Sequence, residues 1–115
     1  MLYSTLAIQP RLLAYARRAY SLSSPTLSLL CIASVLTVDK AATFAAPTVA
    51  ALLGYEERDC RRYIQILESM GFISRVGGRR YYRAQSWAVS GQGRAVLHSI
   101  GHEVERLLSP LQYRS

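Results

Sequence analysis

The apolar spacing of the chain changes from a helical to a strand-like period at Gly71. Before that glycine, residues 56–70 predict a helix, because their apolar side chains recur three and four positions apart, at Cys60, Tyr63, Ile64 and Leu67. After it, residues 72–76 and 79–84 alternate as strands do, and Gly77-Gly78 between them is typical of a two-residue hairpin turn. Residues 85–89 either finish the second strand or leave it. The sequence therefore predicts a helix followed directly by a β-hairpin.

Two helices are predicted ahead of this unit. The first covers residues 2–20, and Pro10 either interrupts it or opens its better-formed half. The second runs from Pro25 to about Val38, because Ser24 is a good capping residue and proline suits the first helical position. The apolar face expected for this second helix is formed by Leu27, Leu30, Cys31, Ser34 and Val35.

A short third helix and a long last helix complete the prediction. The third covers residues 48–53, opened by Ala46-Pro47 and stopped by Gly54. The last begins at Gly91, runs to about residue 108, and continues one apolar stripe through Leu97, Ile100, Val104, Leu107 and Leu111. This order of elements is that of a winged helix-turn-helix, so the expected fold class is mostly α with a small β-hairpin (α+β).

The composition indicates one domain with exposed apolar helix faces. The chain has 115 residues, enough for one modest core, of which 50% are hydrophobic and only 18% are charged. Such a chain has more apolar surface than it can bury alone, which favours a partner chain. Its apolar runs fall short of the roughly 20 residues that span a bilayer, and no basic segment precedes the apolar start. We therefore expect a cytoplasmic protein without membrane contact.

The two cysteines, Cys31 and Cys60, form no C-x-x-C pair and lie within helical patterns. We interpret them as reduced core residues of a cytoplasmic protein. A redox switch between them is the alternative.

Arginine supplies nearly all of the positive charge. The net charge is +7, and 13 of the 14 basic residues are arginine. The guanidinium group stays charged and can bond two phosphate oxygens at once, so clustered arginine suits nucleic acid. One cluster stands opposite the apolar face of the fourth helix: Arg58, Arg61, Arg62 and Gln65. A second lies on the hairpin: Arg75, Arg79, Arg80 and Arg83.

Three acids at the start of the fourth helix, Glu56, Glu57 and Asp59, complicate this interpretation. They favour the helix dipole, and Glu57 forms a favourable i,i+4 pair with Arg61. Near DNA phosphates they would repel, although they could accept from cytosine or hold the arginines in place. Alternatively, they mark a winged helix that binds protein instead of DNA.

The middle of the chain resembles the helix-turn-helix of the MarR and ArsR groups of bacterial regulators. Those groups show an L-A-x-x-L-G turn, then L-x-x-L-E and G-L-[IV]. The run VAALLGYEERDCRRYIQILESMGFISR matches them without gaps at Val49, Ala50, Leu53, Gly54, Leu67, Glu68, Gly71, Phe72 and Ile73. The hairpin RVGGRRYYRA is similar to the short ArsR wing, whereas the exit VSGQGRAVL is closer to the MarR pattern L-T-P-x-G-R-x-L. The resemblance covers roughly residues 27–100.

This resemblance implies a DNA-binding transcriptional regulator built as one domain over residues 1–115. The helix-turn-helix would occupy about 45–70 and place helix 56–70 in the major groove, so that its exposed arginines and Gln65 face base edges and phosphates. The wing, about 72–89, would lie on the backbone or the neighbouring minor groove of double-stranded DNA. Tyr81 and Tyr82 should face opposite sides of the wing strand.

The terminal helices, about 2–20 and 91–111, form the homodimer in the resembling families. A two-fold dimer places two recognition helices about 34 Å apart, one turn of DNA. The interface candidates are Leu12, Leu13, Ala16, Tyr20, Ile100, Val104, Leu107 and Leu108. Some of them could instead fold back on the chain's own core. A small-molecule effector would fit a MarR-like protein, but no residue specifies one.

His98 and His102 lie four residues apart on one face of the last helix, with Glu105 nearby, and such a pair can chelate a metal. ArsR-like sensors carry sites on this helix, but the Asp-x-His that begins such a site is absent, as are the cysteines of their third-helix site. We therefore expect no metal site and no cofactor.

The sequence does not indicate an enzyme. Gly77-Gly78 belongs to a hairpin, Gly91-x-Gly93 is too short for a phosphate loop, and no Ser-His-Asp or paired-carboxylate arrangement stands out. Besides a transcriptional regulator, two functions remain open. One is a winged-helix protein-interaction module, and the other is an accessory DNA-binding factor of plasmid or phage replication or partition.

Overall fold

Within the residues that the structure describes, five helices and a two-stranded antiparallel sheet make up the fold. The computed structural model describes residues 8–38, 43–77 and 85–112. Its elements, in chain order, are α1 (Gln9–Tyr20), α2 (Ser24–Leu36), α3 (Ala46–Leu53), α4 (Glu57–Ser69), β1 (Ile73–Gly77), β2 (Ser86–Val89) and α5 (Gly91–Gln112). This mostly helical winged-helix architecture confirms the predicted fold class.

Proline and serine set the starts of the first two helices. Pro10 lies in the first turn of α1, so it opens the helix instead of interrupting it. α2 is capped by Ser23, one residue earlier than predicted. The reason is Thr26, whose hydroxyl oxygen accepts a 2.9 Å bond from the Ser23 backbone N–H and completes a capping box across three residues.

The predicted apolar face of α2 is correct for Leu27 and Leu30 and wrong for Cys31 and Val35. The buried side chains are Leu27, Leu29, Leu30 and Ala33, whereas Cys31 is exposed and Val35 is 66% exposed. The helix carries its own leucine, isoleucine, valine and alanine side chains on all sides, so their spacing alone does not identify the buried face. The actual face is set by α3, α4, β2 and α5, all of which contact α2. Cys31 is therefore not a core residue.

Two left-handed glycines define the turns on either side of α4. Gly54 has φ +72° after α3, and Gly71 has φ +81° after α4, a region that L side chains rarely adopt. The Tyr55 N–H donates to the Ala50 carbonyl across the first turn, at 3.0 Å. Both helix ends were predicted from these glycines, and both predictions are confirmed.

The predicted two-residue turn at Gly77-Gly78 is wrong. Gly77 lies in β1 and pairs with Ser86, and Ile73 pairs with Val89, so the chain does not reverse direction within Gly77-Gly78. The register follows burial: Trp87 and Val89 point to the core, and a one-residue slip would expose both. The strand predicted at 79–84, including Tyr81 and Tyr82, lies outside the described residues.

A third chain segment joins the sheet through one residue. Phe44 forms a bridge with Trp87, in which the Phe44 N–H donates to the Trp87 carbonyl at 2.8 Å and the Trp87 N–H returns a 2.9 Å bond. The two buried rings lie 6.2 Å apart. This pairing anchors the chain just before α3 to the base of the wing.

α1 and α5 pack against each other at the other end of the molecule. The hydroxyls of Tyr15 and Tyr20 meet Ser99 Oγ at 3.1 and 2.7 Å. The protein measures 57 × 26 × 24 Å, and its radius of gyration of 15.3 Å exceeds the roughly 13 Å expected for a compact chain of this length. The molecule is therefore elongated.

No single helix of the described residues is long and apolar enough to cross a membrane. Only α1 and α2 taken together, with a 91° bend between them, meet that length and composition.

Candidate nucleic-acid interface

α4 divides cleanly into a buried and an exposed arc. Cys60, Ile64 and Leu67 are fully buried against the rest of the fold, and Tyr63 is half-buried. The opposite arc exposes all four side chains that the sequence assigned to nucleic acid: Arg58, Arg61, Arg62 and Gln65. The helical period alone accounts for this division, because the apolar positions anchor one face and leave the other in solvent.

Arg61 is held along the helix by Glu57. Its Nε and Nη2 atoms donate to the same carboxylate oxygen, Glu57 Oε2, at 3.0 and 2.9 Å. This is the i,i+4 pair that the sequence predicted. Both side chains are about half-exposed (46% and 47%), so the pair adds only about 0.3–0.5 kcal/mol of stability. The pair has a larger effect on the orientation of the Arg61 side chain, because it holds the guanidinium group along α4.

Arg62 is held more loosely by two neighbours. Its Nη2 atom lies 3.7 Å from Asp59 Oδ1, and its guanidinium carbon lies 5.4 Å from the centre of the Tyr63 ring. In contrast, Arg58 and Gln65 have no ion pair or side-chain hydrogen bond within the described part of the chain. These two are the readiest polar side chains of the arc for an outside partner.

The net positive charge of the chain lies away from α4. The three arginines of this helix are matched by three acids, Glu57, Asp59 and Glu68. Two other segments account for all seven net charges, the wing with Arg75, Arg79, Arg80 and Arg83 and the first helix with Arg11, Arg17 and Arg18. Our sequence analysis overlooked the arginines of α1, which a segment-by-segment sum of charge would have found.

Arg75 links the wing to α4. It lies in β1 with an exposed side chain, its Nη2 atom 3.7 Å from Glu68 Oε1 and its guanidinium carbon 5.9 Å from the centre of the Trp87 ring. Arg79, Arg80 and Arg83 lie outside the described residues. Arg75, at the base of the hairpin, is therefore the one predicted wing residue whose surroundings the described part of the structure includes.

A group of hydrogen bonds around Ser90, the Ser90 junction, joins the start of α5 to the turn between α4 and β1. Ser90 Oγ donates to the Gly71 carbonyl at 2.6 Å and accepts from the Gly93 N–H at 3.0 Å, while the Ser90 N–H donates to the Phe72 carbonyl at 3.0 Å. A Cβ atom on Gly93 would lie only 2.1 Å from the Phe72 carbonyl oxygen. Sequence reasoning missed this junction, because nothing local to Ser90 or Gly93 reveals what packs against them.

Arg94 ties the same end of α5 to the end of α2. Its Nη2 atom donates to the Thr37 carbonyl at 2.6 Å, and the buried Thr37 hydroxyl donates to the Ala33 carbonyl at 2.8 Å. The guanidinium group thus satisfies a carbonyl at a helix C-terminus and favours the helix dipole there. Together with the Ser90 junction, this contact fixes α5 to the helix-turn-helix at two points.

The buried thiol of α4 is poorly suited to redox chemistry. Burial raises the pKa of the Cys60 thiol, and the nearby charges of Asp59 and Glu57 raise it further. Cys31 is a free thiol as well, and its side chain is exposed. Neither cysteine forms a disulfide in this structure.

The interface candidates on the terminal helices fall into two groups. The side chains of Ala16, Ile100 and Leu108 are buried within the chain itself. For these three, the alternative that they fold back on the chain's own core is correct. The others are half-buried: Leu12, Leu13, Tyr20, Val104 and Leu107. Of these, Val104 and Leu107 are not packed against the main core cluster of the described residues, so they offer apolar surface to a neighbour.

A basic groove of about 350 Å³ lies between α1 and α5. Arg11, Arg18 and Arg106 surround the carboxylate of Glu103 there. The hydrogen bond from Arg106, aided by the charges of Arg106, Arg11 and Arg18, lowers the pKa of Glu103. The Glu103 carboxylate thus neutralises part of the charge of these arginines. The groove keeps a net positive charge, because three arginines face one carboxylate.

Comparison with known proteins identifies the fold. No protein-family model matches the sequence, and no curated protein matches it. Solved structures do match. A MepR mutant of S. aureus bound to an oligodeoxyribonucleotide superposes with a TM-score of 0.81 at 10% sequence identity, covering 99% of this chain and 81% of that one.

Two further structures are described as MarR or as members of its family. Wild-type MarR from E. coli gives a TM-score of 0.67 at 15% identity, covering 95% of this chain and 81% of that chain. A MarR-family transcriptional regulator from a Rhodococcus species gives 0.67 at 17% identity, covering 93% and 75%. The chain has the winged-helix fold of the MarR regulators. Within this MarR-like fold, α4 is the second helix of the helix-turn-helix and β1–β2 is the wing. The similar structures give no specific support to the ArsR resemblance.

Proposed function

We propose that the chain is a cytoplasmic, homodimeric, DNA-binding transcriptional regulator. The observation that carries this proposal is the arrangement of α4, whose apolar arc is fully buried and whose Arg58, Arg61, Arg62 and Gln65 all face solvent. The near full-length likeness to a MepR mutant bound to an oligodeoxyribonucleotide supports it. A B-DNA major groove, about 12 Å wide, admits a helix presented in this way.

Within this proposal, Arg58 and Gln65 read bases. Neither is engaged with another side chain of the described residues, and bidentate contacts of arginine to guanine and of glutamine to adenine are each worth about 1–3 kcal/mol of discrimination. Arg61 and Arg62 reach phosphates only after leaving Glu57 and Asp59. The wing, with Arg75, Arg79, Arg80 and Arg83, supplies most of the attraction to the backbone.

The homodimer is proposed to form through α1 and α5. Three features support this: the elongated shape, the half-buried Val104 and Leu107 outside the core cluster, and the apolar composition of the chain. A two-fold arrangement would present two α4 helices about one DNA turn apart. A small-molecule effector remains part of the proposal without an assigned chemistry.

A protein-interaction module is the second candidate. The observation that favours it is the electrical neutrality of α4, on which three acids balance three arginines and Arg61 and Arg62 each lie beside one of those acids. A surface with both signs of charge, edged by Ile66 at 41% exposure, suits a protein partner with complementary charges. The third reading, an accessory DNA-binding factor, would use the wing and α1 charge with little base readout.

Fluorescence anisotropy across a salt series separates these functions. Labelled duplexes of varied sequence are titrated with the purified chain between about 50 and 200 mM salt. The regulator is expected to bind with a steep negative salt slope and to prefer a subset of duplexes by 10³-fold or more, roughly the lower end for specific sites. Steep but unselective binding would indicate the accessory factor, and no binding at low salt would favour the protein-interaction module.

A further inference from the structure

The exposed face of α5 carries a pair of converging imidazoles. His98 and His102 are the chain's only histidines. Their Nε2 atoms lie 3.0 Å apart, and their rings are 4.5 Å apart and nearly perpendicular. At this separation two ring nitrogens either share one N–H···N hydrogen bond or bind one metal ion together. The pair lies near the middle of α5, at least two helical turns from the Ser90 junction, and takes no part in the proposed DNA contact.

The separation of the two nitrogens fits a metal chelate. Metal–nitrogen bonds of about 2.0–2.1 Å place two nitrogens about 2.8–3.0 Å apart when the ligand angle at the ion is 90°, and about 3.3–3.4 Å apart at a tetrahedral angle. The observed 3.0 Å matches the first geometry and reaches the second with a small ring rotation. Histidines four residues apart on a helix face the same side, so the backbone needs no adjustment.

Glu105 stands where it orients one of the ligands. Its Oε2 atom lies 3.8 Å from His102 Nδ1, on the opposite side of the ring from His98. This distance is too long for a hydrogen bond. A carboxylate that moves about 1 Å closer would accept the Nδ1 proton and leave the Nε2 lone pair free for a metal. Gly101, between the two histidines, leaves open space, because a Cβ atom there would meet nothing within 4 Å. The shallow groove around the pair has room for water ligands.

We propose that His98 and His102 form a two-histidine binding site for a divalent transition-metal ion. Imidazole nitrogen suits Cu²⁺, Ni²⁺ and Zn²⁺, with Cu²⁺ bound most tightly. The described residues contain no group of three or more potential metal ligands, so water completes the coordination. This inference is independent of the proposed regulator function and departs from the sequence-based expectation of no metal site.

Titration of the untagged full chain with Cu²⁺ and Ni²⁺ tests the site. Isothermal calorimetry should give about one ion per chain, with Cu²⁺ tighter than Ni²⁺. His98→Gln and His102→Gln should each weaken binding at least about tenfold, and Glu105→Gln should weaken it less. Paramagnetic resonance of bound Cu²⁺ should show two nitrogen ligands in the wild type and one in either histidine variant.

Two controls keep the result interpretable. Cys31→Ser removes the exposed thiol, the other strong ligand accessible on the described surface, and should leave the affinity unchanged. Ni²⁺ should raise the melting temperature of the wild type and not that of His98→Gln, because the chelate holds one turn of folded helix. Equal affinity of the wild type and the double variant, or loss of binding in Cys31→Ser, would overturn the proposal.

Discussion

Arg61 donates both Nε and Nη2 to a single carboxylate oxygen of Glu57, at 3.0 and 2.9 Å, on the exposed face of α4. The contact holds Arg61, which we propose binds DNA, against Glu57, whose negative charge the DNA phosphates repel. Glu57 thus occupies two of the nitrogen atoms through which Arg61 could bind a phosphate, and its negative charge opposes the approach of that phosphate.

Replacing Glu57 with Gln should tighten DNA binding. The change releases Arg61 and removes one negative charge near phosphate, so the affinity should rise severalfold and the salt slope should steepen by up to about one unit. Folding stability should fall by less than about 1 kcal/mol, because the pair is half-exposed and the acid supports only the helix dipole.

The matched control for that variant is Glu105→Gln, the same charge change on the exposed face of α5. Anisotropy at several salt concentrations compares the two variants. A Glu57→Gln affinity equal to or below that of the wild type, or an equal gain in Glu105→Gln, would show that Glu57 does not restrain Arg61.

Two double substitutions separate the wing from α1. Arg79→Ala with Arg80→Ala removes two charges from the wing, and Arg17→Ala with Arg18→Ala removes two from α1. The wing pair should flatten the salt slope by up to about two units if both arginines touch phosphates. The α1 pair acts only through longer-range attraction and should change the slope less. Identical slopes in the two variants would exclude a direct wing contact.

Gly93→Ala should destabilise the fold by about 1–3 kcal/mol, the range for overpacking a closed site. Its new Cβ atom would lie 2.1 Å from the Phe72 carbonyl oxygen, so the Ser90 junction would have to open. Gly101→Ala in the same helix meets nothing within 4 Å and should stabilise by up to about 1 kcal/mol through helix propensity. Urea denaturation of the two variants measures the contrast, and equal effects would contradict a close-packed junction.

Thiol labelling should distinguish the two cysteines. Cys31 is exposed and should react quickly, whereas Cys60 is fully buried and its pKa is raised by burial, Asp59 and Glu57. A raised thiol pKa means less thiolate, the reactive form, at neutral pH. Surrounding protein also desolvates Cys31 and raises its pKa, so the fast reaction should accelerate as the pH rises. One fast thiol that disappears in Cys31→Ser is the expected result, and two fast thiols would contradict the burial of Cys60.

Val104→Glu should dissociate the proposed homodimer. Val104 is half-buried on α5 outside the core cluster, so a carboxylate there would enter the interface without a partner. Val35→Glu on α2, at a position 66% exposed, is the matched control and should leave the association unchanged. Sedimentation equilibrium measures both. A Val104→Glu chain that associates like the wild type would move the interface elsewhere.

The parts of the fold that local pattern controls were predictable. α4 was expected at 56–70 and runs from Glu57 to Ser69, because its apolar stripe is narrow and its ends are marked by glycines. The exposure of its arginines and the Glu57–Arg61 pair followed from the same helical period. Only part of the buried face of α2 was predicted correctly, Leu27 and Leu30, because apolar residues lie on all sides of this helix and only tertiary contacts select the buried side.

The parts that depend on distant partners were not predictable. The Gly77-Gly78 motif predicted a turn that the structure does not have, because burial of Trp87 and Val89 on β2 fixes the strand register. The bridge from Phe44 to Trp87 joins residues 43 positions apart, so no local spacing reveals it. The Ser90 junction is equally non-local. The arginines at 79, 80 and 83 remain predictions.

The Ser90 junction makes α5 a lever. This helix has 22 residues and is about 33 Å long, and its first turn is bound to the α4–β1 turn and, through Arg94, to the end of α2. A tilt of roughly 5° about that fulcrum moves the far end of the helix by about 3 Å. If a dimer holds the far ends of the two α5 helices together, the same change of angle moves α4 instead, because α4 is joined to the start of α5. The spacing of the two α4 helices is then set by an angle at the far end of α5, about 33 Å along that helix from the Ser90 junction.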